Sequence, residues 1–309
     1  MIVVCGEALV DLLPGQAAAS WTAHPGGSPA NVAVGLGRLG SAVQLLSRVA
    51  DDPFGRLLRE HLTASQVDVS LLVPADEPTT LAVVALDGQG RAEYAFYVDG
   101  AADGGWRAQD LPAELPAGAA LHVSGSLALA VESMGDALET LLHRERGRRL
   151  LALDPNVRPR LAGDPAALRA RLADWLTLVD VVKVSSEDLA WLAPGQDLDT
   201  VAAGWRERGP VLVVVTRGES GVLATSAAGT IDLPGMPVDL VDTVGAGDAF
   251  MAGLLAALEE AGALTRTACA ALSREALTTA LVFAQRVAAA TCARAGADPP
   301  WRSELTPSR

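Results

Sequence analysis

The stretch Val241-Asp242-Thr243-Val244-Gly245-Ala246-Gly247-Asp248-Ala249-Phe250 opens a long Ala- and Leu-rich segment with helical spacing, residues 247–261. A Gly-Ala-Gly turn running into a helix start leaves several backbone N–H groups unpaired and convergent, and the helix dipole there favours negative charge. The turn therefore reads as an anion site. Asp248 falls in the first helical turn beside it, and at an ordinary carboxyl pKa of about 3.9 it is expected to be ionised at neutral pH. A carboxylate next to an anion cradle can accept the proton of an attacking hydroxyl while the N–H groups hold the charge developing on a transferred phosphoryl group. On backbone grounds alone, the same glycines are turn residues and Asp248 is an acid that favours a helix start.

Upstream of this turn, short β-branched runs at 2–5, 43–47, 121–123, 150–153, 179–184 and 211–215 alternate with longer segments of helical spacing. The helical candidates are 30–39, 53–65, 133–146, 164–175, 187–192, 200–208 and 273–293, besides 247–261. Strands alternating with helices imply βαβ units, so the fold class is α/β with a mainly parallel sheet flanked by helices. Residues 79–86 and 92–98 break the rhythm: both are strand-like and are joined by the hairpin signal Asp87-Gly88-Gln89-Gly90, with no helix between. With 9–13 and 20–23 they predict a small antiparallel sheet standing away from the main one. The chain is thus read as one domain, 1–309, carrying a lid formed by about 9–23 and 79–98.

In an open α/β sheet, ligands bind outside the carboxyl ends of the strands. Polar and glycine residues gather at those ends: Gly6-Glu7, Ser124-Gly125-Ser126, Asp154-Pro155-Asn156, Ser185-Ser186-Glu187-Asp188 and Thr216-Arg217-Gly218. The clustering points to one cleft, although βα turns use the same residue types for backbone reasons.

Composition narrows the partners. The 309 residues include 24 Lys plus Arg against 37 Asp plus Glu, a formal charge of −13. A phosphate-tracking protein needs a basic face, so nucleic acid and anionic membranes are disfavoured. Three scattered cysteines, Cys5, Cys269 and Cys292, without Cys-x-x-Cys or a nearby His, argue against a disulfide framework or structural zinc. The apolar N-terminus lacks a signal-peptide pattern and reads as a first strand, and no run of 18 apolar residues occurs; a cytoplasmic protein is expected.

The Asp242–Asp248 stretch resembles the C-terminal signature of the ribokinase-like (PfkB) sugar kinases. Gly6-Glu7-Ala8-Leu9-Val10-Asp11, then Gly26-Gly27-Ser28-Pro29-Ala30-Asn31-Val32-Ala33, then Arg38-Leu39-Gly40 resemble the same family in the same order. The resemblance implies an ATP-dependent phosphotransferase acting on an alcohol group of a sugar. It implies Asp248 as the base, Gly245, Ala246 and Gly247 as an anion hole, and Asp11, Gly27 and Asn31 as holders of sugar hydroxyls. That last role suits a carboxylate and an amide physically. Thr216, Gly218 and Gly221, with Ser185, are implied at the nucleotide, its adenine against the C-terminal helix around 282–289. Asp242 and Val244 with the carbonyls near Arg294 and Gly296 resemble the family's monovalent-cation loop, so K+ is expected beside Mg2+ and ATP.

One departure touches magnesium. The family often carries Asn-x-x-Glu after the fifth strand to order Mg2+ through water; here Ser185 and Asp188 align, with Glu187 between them. Either acid suits the task, and both also suit a first helical turn behind a serine N-cap. Asp154-Pro155-Asn156-Val157-Arg158-Pro159 resembles a segment of fructokinases and 2-keto-3-deoxygluconate kinases, and with the Gly26–Asn31 wording looks most like bacterial fructokinases. Arg158 is implied at the substrate, meeting a carboxylate or a nucleotide phosphate, or else it caps a helix. Ribose, a nucleoside and a sugar acid stay open as acceptors, as does a silent sugar or nucleotide sensor on the same scaffold. A homodimer through the lid is expected if its outer face is apolar, although the stripe Val83, Ala85, Tyr94, Phe96 and Val98 can equally face the sugar.

Two patterns mislead. Gly35-Leu36-Gly37-Arg38-Leu39-Gly40 matches a dinucleotide fingerprint, but it follows a helical segment and precedes a strand, the reverse of what that motif needs. Gly40 reads instead as a helix terminator. The sole lysine, Lys183, lies in a strand-like run behind no glycine-rich loop, which excludes a Gly-x-x-x-x-Gly-Lys nucleotide site. The charge of the phosphates is then left to backbone N–H groups, Mg2+ and arginines.

Overall fold

A computed structural model of the chain describes residues 1–15, 17, 20–86 and 92–305. In chain order it contains β1 (Ile2–Cys5), β2 (Leu9–Pro14), β3 (Trp21–Gly26), α1 (Ser28–Arg38), β4 (Val43–Leu46), β5 (Arg48–Ala50) and α2 (Pro53–Ala64). There follow β6 (Val73–Ala75), β7 (Leu81–Leu86), β8 (Ala92–Tyr97), β9 (Ala120–Ser124), α3 (Glu132–Glu145), β10 (Leu151–Asp154) and α4 (Pro165–Leu176). The rest comprises β11 (Val181–Ser185), α5 (Ser186–Leu192), α6 (Leu198–Arg208), β12 (Leu212–Thr216), β13 (Val222–Ser226), β14 (Gly229–Leu233), α7 (Ala246–Glu260), α8 (Arg266–Ala270) and α9 (Arg274–Cys292). Polar caps set several starts: Asp52 Oδ1 accepts from Gly55 N ahead of Pro53, and Ser273 caps α9.

Among the described residues the main sheet has eight strands in the order β14-β13-β12-β11-β10-β9-β1-β4. From β4 through β12 every neighbouring pair is parallel; β13 and β14 return antiparallel at one edge. Strand periodicity divides the interior in two. Ile2 and Val4 enter a core with Leu36 of α1, Leu254 and Leu258 of α7 and Leu281 of α9. Val3 and Cys5 enter another with Leu138 of α3, Trp175 of α4 and Val201 of α6. Each fully buried Leu or Val in these layers is worth about 1.5–3 kcal/mol against exposure, so the helices are held on both faces.

A second sheet, β3-β2-β7-β8, joins two antiparallel hairpins through a parallel β2–β7 pair. Its third segment differs from expectation. The strand runs from Trp21 to Gly26 instead of over 20–23, so Gly26 finishes a strand and Gly27 caps the start of α1. Gly26 is pressed against β2: a methyl there would lie 2.2 Å from Asp11 Oδ2. The Asp87–Gly90 turn and Arg91 lie outside the described residues, as do the side chains of Ala85 and Tyr94. Gly40 does end α1, with φ 86° and its N–H on the Gly37 carbonyl.

The edge hairpin β13–β14 is not anticipated from the sequence. Its turn, Ser226-Ala227-Ala228-Gly229, lacks the Asn-Gly or Asp-Gly signal and relies on Gly229 at φ 89°. Among the described residues no helix is long and apolar enough to cross a membrane.

Candidate active site

The carboxyl ends of β9, β10, β11 and β12 converge on the N-terminus of α7. Gly245 is the N-cap there, in the left-handed region at φ 74°, and a methyl on it would lie 2.6 Å from Ala297 Cβ. Glycine is required at that position for both conformation and space. The Ala246 amide closes a turn onto the Thr243 carbonyl at 3.2 Å, and the Ala249 amide bonds the Gly245 carbonyl. Among the described residues the amides of Gly245, Gly247 and Asp248 have no bonded acceptor. Three unbonded donors at a helix start are suited to an anion, while the Ala246 amide is already bonded to the Thr243 carbonyl.

Asp248 is buried, yet it does not turn into the apolar interior. Its Oδ1 accepts from Ser28 Oγ at 2.7 Å and its Oδ2 from Asn31 Nδ2 at 2.9 Å. Ser124 Oγ in turn donates to Ser28 Oγ at 3.1 Å. Burial raises the Asp248 pKa above the ordinary carboxyl value, with Asp154 adding to the rise, while the bonds from Ser28 and Asn31 and the charge of Lys183 oppose it. The ordinary value expected from sequence is corrected accordingly: the chain surrenders water around this acid and replaces it with two side-chain donors. A raised pKa makes the group a stronger base.

The α1 N-terminus is built for this contact. Gly27 sits at φ 98°, where a methyl would lie 2.8 Å from the Glu7 carbonyl oxygen. The buried Glu7 Oε1 accepts from the Ser28 amide at 3.2 Å, tying α1 to the end of β1. Asn31, implied by the resemblance at the sugar, spends one amide hydrogen on Asp248; its Oδ1 can still accept. Asp11 lies close enough to feel the charges of Asp248 and Arg158. Its carboxyl is pushed up to about 6, chiefly by burial and also by Asp248, with Arg158 pulling the other way.

A cavity of about 600 Å3 lies against the N-terminus of α7. Lys183, Thr243, Ala246, Gly247 and Phe250 line it, together with Thr216, Gly218 and Gly221 and with Gln285, Ala288 and Ala289 of α9. Arg158 borders it too, with Nη1 donating to Asn156 Oδ1 at 2.7 Å; Asn156 holds that geometry at φ 40°, a conformation asparagine tolerates. Ser185 Oγ accepts from the Asp188 amide at 3.0 Å, so it caps α5. Glu187 is exposed, whereas Asp188 is partly buried and pushed up to about 6 by burial, then by Asp154. A second hollow of about 680 Å3 between α4, α5 and α6 contains none of the residues singled out from the sequence.

Asp242 ties together the loops on either side of α7 and α9. Its Oδ1 accepts from Val244 N at 3.0 Å and its Oδ2 from Gly296 N at 2.8 Å. The Arg294 guanidinium pairs with Glu304 and Asp298, away from these oxygens.

Ser28, Ser124 and Lys183 join the site although the sequence gives none of them an individual role, Ser124 being anticipated only within the polar cluster at the strand ends. Ser28 directly follows the strained glycine at the α1 start, and that is its signal. Ser124 and Lys183 share the face of Ala120 and Val181, the face that packs against α7, and strand parity alone places them there. His122, on the same face, is fully buried and kept neutral, its pKa lowered to about 3 by burial and then by Lys183.

Comparison with known proteins bears on this geometry. The pfkB family carbohydrate kinase profile matches residues 1–304. A fructokinase of Rhizobium leguminosarum bv. trifolii is 39% identical over 280 residues, which is 90% of this chain and 85% of that protein. The fructokinase from Xylella fastidiosa with bound ATP superposes with a TM-score of 0.88 at 30% identity, covering 98% of this chain and 96% of the other. The fructokinase from Vibrio cholerae O395 in a fructose-, ADP- and calcium-bound form gives 0.82 at 30% identity, covering 96% and 94%.

Proposed function

Because the chain belongs to the pfkB family of carbohydrate kinases, we propose that it transfers the γ-phosphoryl group of ATP to a primary hydroxyl of fructose. It is a phosphotransferase acting on a sugar hydroxyl, with the ribokinase-like α/β fold of its structural neighbours. Relatives named fructokinase on both sequence and structural grounds support fructose as the acceptor. The observation that carries the chemistry is Asp248, fixed by Ser28 and Asn31 at the mouth of three unbonded amides.

In this reading, Asp11, Gly27 and Asn31 hold the sugar so that its primary hydroxyl faces Asp248. The carboxylate takes the hydroxyl proton as the oxygen forms its bond to the γ-phosphorus. The bond from that phosphorus to the bridging oxygen breaks, and ADP departs with the bonding pair. The amides of Gly245, Gly247 and Asp248 hold the equatorial charge during transfer. Thr216, Gly218 and Gly221 line the nucleotide's path, and the second sheet covers the sugar as a lid.

Mg2+ arrives with ATP and neutralises phosphate charge. Both Glu187 and Asp188 border the cavity, but Asp188 fits the ion better, because it is the more buried of the two and lies near Asp154, whose repulsion a cation would relieve. K+ fits the loops that Asp242 joins, where Arg294 has its own acidic partners and offers only backbone oxygen. The outer face of the second sheet exposes Trp21 and Tyr97, a surface suited to a second copy, whereas Phe96 and Val98 pack inward. An ATP-consuming enzyme whose three cysteines are all free suits the cytoplasm.

The test is ADP release with MgATP against fructose, other ketoses, aldoses, nucleosides and sugar acids, each with and without K+. Fructose should give the highest kcat/KM; a sugar acid or nucleoside exceeding it by tenfold would discard the assignment.

A further inference from the structure

All but one of the 24 basic residues are arginine, and the exception lies inside the site. Lys183 is buried in the middle of β11, and strand parity turns it toward α7 rather than toward α4 and α6. Its ammonium pairs with Asp154 Oδ2 at 2.7 Å, while Asp154 Oδ1 is buried without a partner among the described residues. A methyl built on Gly247 would lie 2.9 Å from Lys183 Nζ, so the ammonium sits beside the free amide of the anion cradle. Lys183 also borders the 600 Å3 cavity and bears electrostatically on Asp188 and Asp248.

A buried Lys–Asp pair gains little stability over apolar replacements, because desolvation offsets the attraction. Its presence at this point therefore asks for another reason. A compact ammonium with three donors can give one hydrogen to Asp154 and direct another toward a tetrahedral oxygen, whereas a guanidinium holds its donors in a fixed planar fork. Gly247 supplies the room. It lies within α7 and has no positive φ, so conformation does not require glycine there. The missing side chain leaves space for Nζ and for an anion's close approach.

We propose that Lys183 is a catalytic residue whose ammonium, aimed by Asp154 beside the Gly247 amide, donates to the migrating phosphoryl group. The inference rests on the kinase reading above, but not on which sugar is the acceptor. It also amends the sequence view that leaves the phosphate charge to amides, Mg2+ and arginines.

Two experiments decide it. Lys183→Gln alone leaves Asp154 unpaired and can unfold the chain, so the informative protein is the neutral pair Lys183→Gln with Asp154→Asn. Its melting temperature should stay within a few degrees of the parent while kcat falls by about 10²–10³-fold, the usual loss for one oxyanion donor. A double variant that folds and turns over within threefold of the parent overturns the proposal, since charge balance alone would then explain Lys183. Second, protein labelled with [15N]lysine carries a single side-chain ammonium resonance. A non-hydrolysable ATP analogue with Mg2+ should shift it well beyond the shift given by MgADP; equal shifts, or none, overturn the proposal. If the parent fails to phosphorylate fructose, the acceptor assignment falls while this resonance still reports on Lys183.

Discussion

Asn31 and Asp248, 217 residues apart in sequence, meet through a 2.9 Å hydrogen bond from Nδ2 to Oδ2. With Ser28 on the other oxygen, both lone-pair faces of the acid are oriented before any ligand arrives. Asp248→Asn keeps the shape and removes the proposed base. Turnover should fall by about 10²–10⁴-fold with the melting temperature nearly unchanged, as read by ADP release and thermal denaturation. A variant that keeps most of its activity removes Asp248 from the mechanism.

Ser28→Ala deletes a donor that stabilises the ionised form of Asp248. The carboxyl pKa then rises further, and the acid limb of kcat should move to higher pH. The pH profiles of parent and variant, measured at saturating sugar and MgATP, check the direction; a shift to lower pH contradicts the argument.

The two glycines of the α7 start should respond differently to alanine. Gly245→Ala forces a left-handed conformation costing about 1–2 kcal/mol and drives a methyl into Ala297, so the melting temperature should drop along with activity. Gly247→Ala meets only the flexible tip of Lys183, and alanine favours the helix. That protein should melt at or above the parent temperature yet turn over far more slowly.

Asp11 must be ionised to accept from two hydroxyls, and its pKa of about 6 means the proton returns as pH falls through that value. At saturating MgATP, kcat/KM for the sugar should decline below pH 6, approaching about tenfold per unit. A level profile between pH 5 and 7 would show that Asp11 does not hold the sugar in its charged form.

Asp242→Ala unties the 242–244 and 296 loops. Activity in the parent should rise on adding K+, and the variant should lose that response while still binding sugar. Initial rates over a KCl titration against a tetramethylammonium control distinguish the two.

Much of this was legible in the sequence because backbone constraints leave marks. Left-handed glycines at 27, 40 and 245 punctuate helix ends, and β-branched runs at period two give the strands; both are local rules. The Gly245–Asp248 turn reads as an anion site by the same local reasoning. What the sequence concealed depends on distance. Ser28 and Lys183 acquire roles only when β9, β10 and β11 bring their ends to α7, and an ordinary carboxyl pKa at Asp248 is a fair guess until burial is known. The β13–β14 hairpin escaped because its Ala-Ala-Gly turn carries no strong signal of its own.

The Ser28–Asp248 bond closes a loop of 220 residues, spanning most of the polypeptide. A ribosome must therefore have made most of the molecule before Asp248 can be held by Ser28. Partial products that stop short of Asp248, and fragments cut between the two residues, lack this bond.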